Sequence, residues 1–196
     1  LKADWYAAHY DHAATNAYHT EYTVTASGVT LHTHVGIAAI CVQKFLDLDV
    51  TWTVANNGSV DLALHAQRNT VFPELPRFGL RLFLPQEMSQ VNYYGMGPME
   101  CYRDKHHAAS HSSYTATVWQ LHEDYIRPQE NGSHFDCDYV MLAGDAVRLT
   151  AVGTQPFSFN ASHYTQEELT RKAHNYELEP CGSTVLCLDY AQNGIG

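Results

Sequence analysis

Leu46-Asp47-Leu48-Asp49-Val50-Thr51-Trp52-Thr53-Val54 is the stretch that decides the fold. Successive side chains of a strand point to opposite faces. Leu46, Leu48, Val50, Trp52 and Val54 therefore share one face, and Asp47, Asp49, Thr51 and Thr53 the other. One apolar and one wet face is the mark of an antiparallel sheet. Asn56-Asn57-Gly58-Ser59 then turns the chain, and Val60 to Ala66 pairs back. Upstream, His19 to Ala26 and Val29 to Val35 flank Ser27-Gly28 as a hairpin, and Ile37 to Gln43 continues the β pattern. Residues 1 to 18 have no clean period and receive no assignment.

Further along, strands are expected at Phe78 to Leu84, Val91 to Tyr94, Phe135 to Leu142, Ala146 to Val152, Pro156 to Asn160 and Thr184 to Tyr190. Turn residues separate them: Pro73 and Pro76, Asn131-Gly132, and Gly144-Asp145. Thr165 opens one short helix, with Glu168 three positions on completing a capping box, and Leu169 and Ala173 on one face. Residues 99–130 are aperiodic but carry Tyr102, Tyr114, Trp119 and Tyr125, which argues against disorder. They read as an ordered loop region with short strands, shaping a site or an interface. Many short strands, frequent turns and one helix make an all-β antiparallel sandwich, and 196 residues fit one large domain.

Composition removes several functions. A formal charge of −10 argues against nucleic acid and against anionic membrane surfaces. Five cysteines (41, 101, 137, 181 and 187) include no C-x-x-C pair, so neither a zinc finger nor a small disulfide framework is expected; free thiols and a cytoplasmic setting are. No signal peptide is visible at the start, and no 18-residue apolar span occurs.

Among 13 histidines, His106, His107 and His111 cluster, His9 and His12 are three apart, and His32 and His34 would share a strand face. None of these sets supplies the three or four ligands of a zinc site, so no metal is assigned. Glu100, Asp104, Glu123, Asp124 and Glu130 lie in or near expected loops. Any two of them are chemically able to act as a glycosidase pair, and sequence does not show which meet. Nucleophile elbows, phosphate loops and H-E-x-x-H are absent.

The densest run of polar chemistry is Asn92 to Asp104, N-Y-Y-G-M-G-P-M-E-C-Y-R-D. Gly95, Gly97 and Pro98 imply a sharp turn after a strand, projecting Glu100, Tyr102, Arg103 and Asp104 as a polyol-recognising loop. The structural alternative is a loop whose charges pair with one another. G-x-G-P-x-E-x-Y-x-D resembles the signature of the C-terminal "small chain" domain of glycoside hydrolase family 2 β-galactosidases. Three further segments follow in order: Pro76-Arg77-Phe78-Gly79-Leu80-Arg81; Tyr125-Ile126-Arg127-Pro128-Gln129-Glu130-Asn131-Gly132; and Ser162 to Leu169 with the closing Gly194-Ile195-Gly196. Lys105 departs from the family, which usually continues the Asp with Arg.

The resemblance implies a large supersandwich like that of galactose mutarotase, here one domain over residues 1–196 truncated at both ends. It implies a non-catalytic module that packs on a catalytic barrel and helps shape the galactose site. Both catalytic glutamates lie in that other domain, so the piece alone is expected to be inactive. The whole enzyme would hydrolyse terminal β-D-galactosides such as lactose with retention, bind Mg2+ and Na+ mainly through other domains, and assemble as a homo-oligomer. Substrate-binding candidates are Glu100, Tyr102, Arg103, Asp104, Glu130 and Asn131. The alternative is a stand-alone sugar-binding or aldose-epimerase protein using His106, His107 or His111 with Glu100 or Glu130.

Overall fold

A computed structural model describes residues 2–192, so the closing Gly194-Ile195-Gly196 lies outside the described residues. The chain is all-β with two antiparallel sheets, and it divides into two compact units, Leu1–Leu75 and Pro76–Gly196.

The first unit opens with a helix, α1 (Lys2–Ala7), in the segment left without an assignment; six residues are too few for a helical period to stand out. Four strands follow in sheet order β1-β2-β3-β4: β1 (Ala14–Thr25), β2 (Gly28–Ala38), β3 (Leu46–Ala55) and β4 (Val60–Arg68). The deciding stretch is β3, paired on both sides, with Trp52 between Leu31 of β2 and Leu62 of β4. The strand expected over Ile37 to Gln43 stops at Ala38; Ile40 and Cys41 form a turn, with Cys41 at φ 63. Phe45 is the buried centre of this unit, packed on Tyr10 at 4.8 Å and Phe72 at 5.9 Å. Tyr10 Oη and Trp5 Nε1 donate to the carbonyls of Pro73 and Glu74, tying the N-terminal segment to the unit's end.

The second unit is a six-stranded sheet in the order Arg77–Pro85, Ser183–Gln192, Arg148–Ser162, Ser133–Ala143, Gln90–Gly97, Ser110–Thr117. Its strands are β5 (Arg77–Pro85), β6 (Gln90–Gly97), β7 (Ser110–Thr117), β8 (Ser133–Ala143), β9 (Arg148–Ser162) and β10 (Ser183–Gln192). The last strand inserts between β5 and β9, so the strand partner of β5 comes from the far end of the chain. Val91, Tyr93, Val140, Leu142, Phe159 and Leu186 form the core, sealed by Val118 and Leu121 from a 3-10 turn over Val118–Leu121. That turn carries a true capping box between Thr117 and Gln120.

Three expectations need correction here. First, Gly95 and Gly97 do not turn the chain; β6 runs through both. A Cβ on Gly95 would stand 2.3 Å from Cys137 Sγ, and one on Gly97 2.3 Å from Tyr93 Oη, so these glycines permit close strand packing. Second, the strands expected around Pro156 are one strand, β9. Its pairing with β8 jumps from Val152 to Phe157, leaving Pro156 in a bulge where no amide is needed. Third, α2 (Gln166–Arg171) has only half a capping box. Thr165 Oγ1 accepts from Glu168 N, but the Glu168 carboxylate turns to Arg171, Lys172 and the amide of Glu179. The helix also ends before Ala173, so only Leu169 of the expected pair is helical and buried.

Phe159 has no exposed surface and packs against both Tyr93 and His134, which also touch each other. Phe159→Ala is expected to cost about 3–5 kcal/mol, read as a lower urea midpoint. A midpoint within error of the parent would contradict this packing.

Candidate functional site

Four of the six candidate residues, Glu100, Tyr102, Glu130 and Asn131, lie in the connections on either side of β7, which meet where Gly132 N donates to Glu100. The Gly97–Pro98 bond is cis, and Glu100 follows in a loop anchored by Cys101 N donating to Ser133 O at 2.7 Å. Glu100 is buried at 8% exposure. Both carboxylate oxygens are occupied. Oε1 accepts from Tyr125 Oη and from Lys105 Nζ at 3.1 Å; Oε2 accepts from Gly132 N at 2.9 Å and Tyr102 Oη at 3.3 Å. Burial alone would raise its pKa, but the bonds from Tyr125, Gly132 and Lys105 outweigh it and hold the group below its ordinary 4.5. Lys105, the departure from the family pattern, therefore makes an ion pair with Glu100.

Tyr102 and Lys105 exchange backbone hydrogen bonds, so residues 102–105 form a tight turn. Burial, with Glu100 and Glu130 nearby, pushes the Tyr102 phenol up and keeps it a donor. Arg103 and Asp104 stand at the turn's apex, exposed, with no hydrogen bond or ion pair among the described residues.

Glu130 belongs to a second network. Arg77, at the start of β5, donates through Nη1 to Glu130 and through Nε and Nη2 to Asp189 of β10, at 2.9 and 2.5 Å. The Glu130 and Asp189 side chains are 8% and 2% exposed. Burial raises both carboxyl pKa values and the Arg77 charge opposes it; burial also acts to lower Arg77, but the Asp189 bond and Glu130 overcome it and hold the guanidinium charged. Gly79 makes the arrangement possible, because a Cβ there would meet Leu188 O at 2.2 Å and Asp189 Oδ1 at 2.6 Å.

Asn131 joins the two networks through the backbone. Its Oδ1 accepts from Glu123 N, its Nδ2 donates to Gln129 O, and its carbonyl accepts from Asn160 Nδ2 of β9. Gly132 follows at φ 70, a left-handed position that suits glycine. Ser133 Oγ then donates to Gln192 Oε1 at the end of β10. Lys105, Tyr125, Asp189, Ser133 and Gln192 were not among the sequence candidates, nor was Arg77. Arg77 and Tyr125 lay within quoted motifs, and Asp189 was visible as a lone carboxylate in the apolar run Val185 to Tyr190.

The histidine sets are used elsewhere. His34 lies between Asp49 and Asp47, both at 3.0 Å; His106 faces the Tyr102 carbonyl, and His111 that of Asp136. None of His106, His107 and His111 hydrogen-bonds Glu100 or Glu130. Among the described residues no group of three or more His, Cys, Asp or Glu is placed to hold a metal ion. All five cysteines are free, with 101, 137 and 187 buried. No helix among the described residues is long and apolar enough to cross a membrane.

Set against known proteins, residues 2–196 match the family model described as β-galactosidase small chain. The β-galactosidase of Actinobacillus pleuropneumoniae is 42% identical over all 196 residues, which are 19% of that protein. The Staphylococcus xylosus β-galactosidase is 36% identical over the whole chain, 20% of its own length. That of Arthrobacter sp. (strain B7) is 35% identical over 144 residues, 70% of this chain and 14% of the relative. The chain spans about a fifth of the length of the first two relatives.

His134, next along β8, sets an acid limit. Burial lowers its pKa to about 4, against the weaker pull of the Met96 carbonyl and Glu100. The unfolded chain takes this proton near 6.5 and the folded chain only near 4, so stability is full above 6.5 and is lost as pH falls towards 4. The loss is roughly 3 kcal/mol. His134→Gln is expected to flatten this part of the pH profile in urea unfolding between pH 7 and 4; a profile parallel to the parent would contradict the assignment.

Proposed function

Because this chain belongs to the β-galactosidase small-chain family, we propose that it is the non-catalytic C-terminal module of a β-galactosidase that hydrolyses terminal β-D-galactosides such as lactose. The observation that carries this reading is a family match across both units in a chain about a fifth as long as its relatives. On this reading the two units are parts of one small-chain domain of the sandwich type seen in galactose mutarotase, and residues 1–196 are a piece of it.

The chemistry of the site supports a non-catalytic role. A retaining glycosidase needs one carboxyl group to donate a proton and another to attack the anomeric carbon. Glu100 spends both oxygens on internal donors, and Glu130 sits on Arg77 inside the fold. On this reading the bond-breaking pair comes from another domain, and Mg2+ and Na+ are held mainly by other domains. What this module supplies is a wall: Glu100, Tyr102, Glu130 and Asn131 hold two loops rigid, while Arg103 and Asp104 present free charged groups for sugar hydroxyls or a neighbouring domain. Exposed Tyr22, Val24, Val60, Leu62 and Leu64 give the first unit apolar surface suited to contact with other domains of a larger, homo-oligomeric, cytoplasmic enzyme.

Full-length protein carrying this sequence is expected to hydrolyse a nitrophenyl β-D-galactoside, whereas residues 1–196 alone are not. Hydrolysis by residues 1–196, or none by full-length protein that is folded, would contradict the reading. In the full-length enzyme Arg103→Ala with Asp104→Ala is expected to raise KM severalfold, with kcat nearly unchanged. An unchanged KM would remove these two residues from the sugar wall.

A further inference from the structure

The two ends that meet at the Arg77 cluster are far apart in sequence. Glu130 precedes β8 by three residues, and Asp189 lies in β10 with Gln192 at that strand's end. A side chain on β5 grips both, and one direct bond, Ser133 Oγ to Gln192 Oε1, runs between them. Arginine suits this position because its planar fork meets Asp189 with two parallel donors and still has Nη1 for Glu130. Gly79 completes the device, leaving the space that the Asp189 carboxylate fills. The P-R-x-G part of the upstream motif thus supplies both the cation and the room for its partner.

We propose that Arg77 is a positioning residue of the sugar wall: through Glu130 and Asp189 it makes residues 130–134 and the end of β10 move as one piece. It touches no substrate. It acts on recognition by setting where segment 130–134 stands, and through Gly132 that segment holds Glu100 and the turn that presents Arg103 and Asp104. The inference rests on the module reading above.

The grip predicts a pattern that general stability does not. Glu130→Ala cuts one arm, so hydrogen exchange should quicken at the amides of residues 131–134 and not at 190–192. Asp189→Asn weakens the other arm and should quicken 190–192 more than 131–134. Arg77→Ala cuts both and should quicken both segments about tenfold or more, with the β6 amides of Val91 and Tyr93 unchanged. Arg77→Lys keeps the charge but not the fork, and is expected to rescue only part of this change. In the full-length enzyme Arg77→Ala is expected to raise KM for a nitrophenyl β-D-galactoside about tenfold and to change kcat by less than about threefold.

The experiment is hydrogen exchange with mass spectrometry on the full-length chain and these variants, paired with galactosidase kinetics. Segment-specific exchange with a KM effect supports the proposal. Uniform exchange increases with unchanged KM, or no change in either segment, overturn it. If Arg77→Ala does not fold, the Glu130→Ala and Asp189→Asn pair carries the same test, and equal effects of both on both segments overturn it. A wild-type full-length chain that lacks galactosidase activity would defeat the module reading; the exchange pattern then decides the coupling by itself.

Discussion

A carboxylate removed from water must be surrounded by donors or cations, or it will not stay charged. Glu100 is the clearest case in this protein: two phenols, an amide and an ammonium converge on it. Those donors come from three separate stretches: the turn at 102–105, the connection at Tyr125, and Gly132 at the entry to β8. Satisfying one charge therefore fixes the relative places of all three. The connections on either side of β7, residues 98–109 and 122–132, have little regular structure of their own, and this network ties them together.

The Arg77 cluster solves the same problem differently. One guanidinium serves two buried carboxylates, and burial makes Glu130 and Asp189 titrate higher than free carboxyls against the pull of Arg77. Removing either partner leaves the others less well matched, which is why such clusters tolerate substitution poorly. Glycines keep the backbone close enough for these contacts. Gly79 makes way for Asp189, and Gly95 lets β6 lie against Cys137. What reads in sequence as turn chemistry at Gly95 is close packing.

The fold was legible where side chains alternate. Leu46 to Val54 announced β3 and its partners, and Thr165 announced α2. Legibility failed where a local signal met a tertiary one. Pro156 looked like a strand boundary, yet a bulge opposite β8 absorbs it. Gly95 and Gly97 looked like a turn, yet they lie within β6. The candidate site was half legible. Glu100, Tyr102, Glu130 and Asn131 do meet at one end of the sheet, but Arg77, which binds Glu130, and Asp189, which shares that guanidinium, come from strands distant in sequence. Only Asp189, charged within an apolar run, carried a hint of its own. Periodicity does not report which buried carboxylate meets which cation, because that depends on how strands pair over more than a hundred residues.

We propose that the motif carboxylates fasten the sheet's end and take no part in bond cleavage. Measuring kcat on a nitrophenyl β-D-galactoside for full-length protein with Glu100→Gln and Glu130→Gln combined tests the proposed galactosidase module. Fasteners leave kcat within about tenfold of wild type, with the loss appearing mainly in KM and thermal stability. A fall in kcat on the order of 10⁴-fold in protein that is still folded would mark a catalytic carboxylate and contradict it.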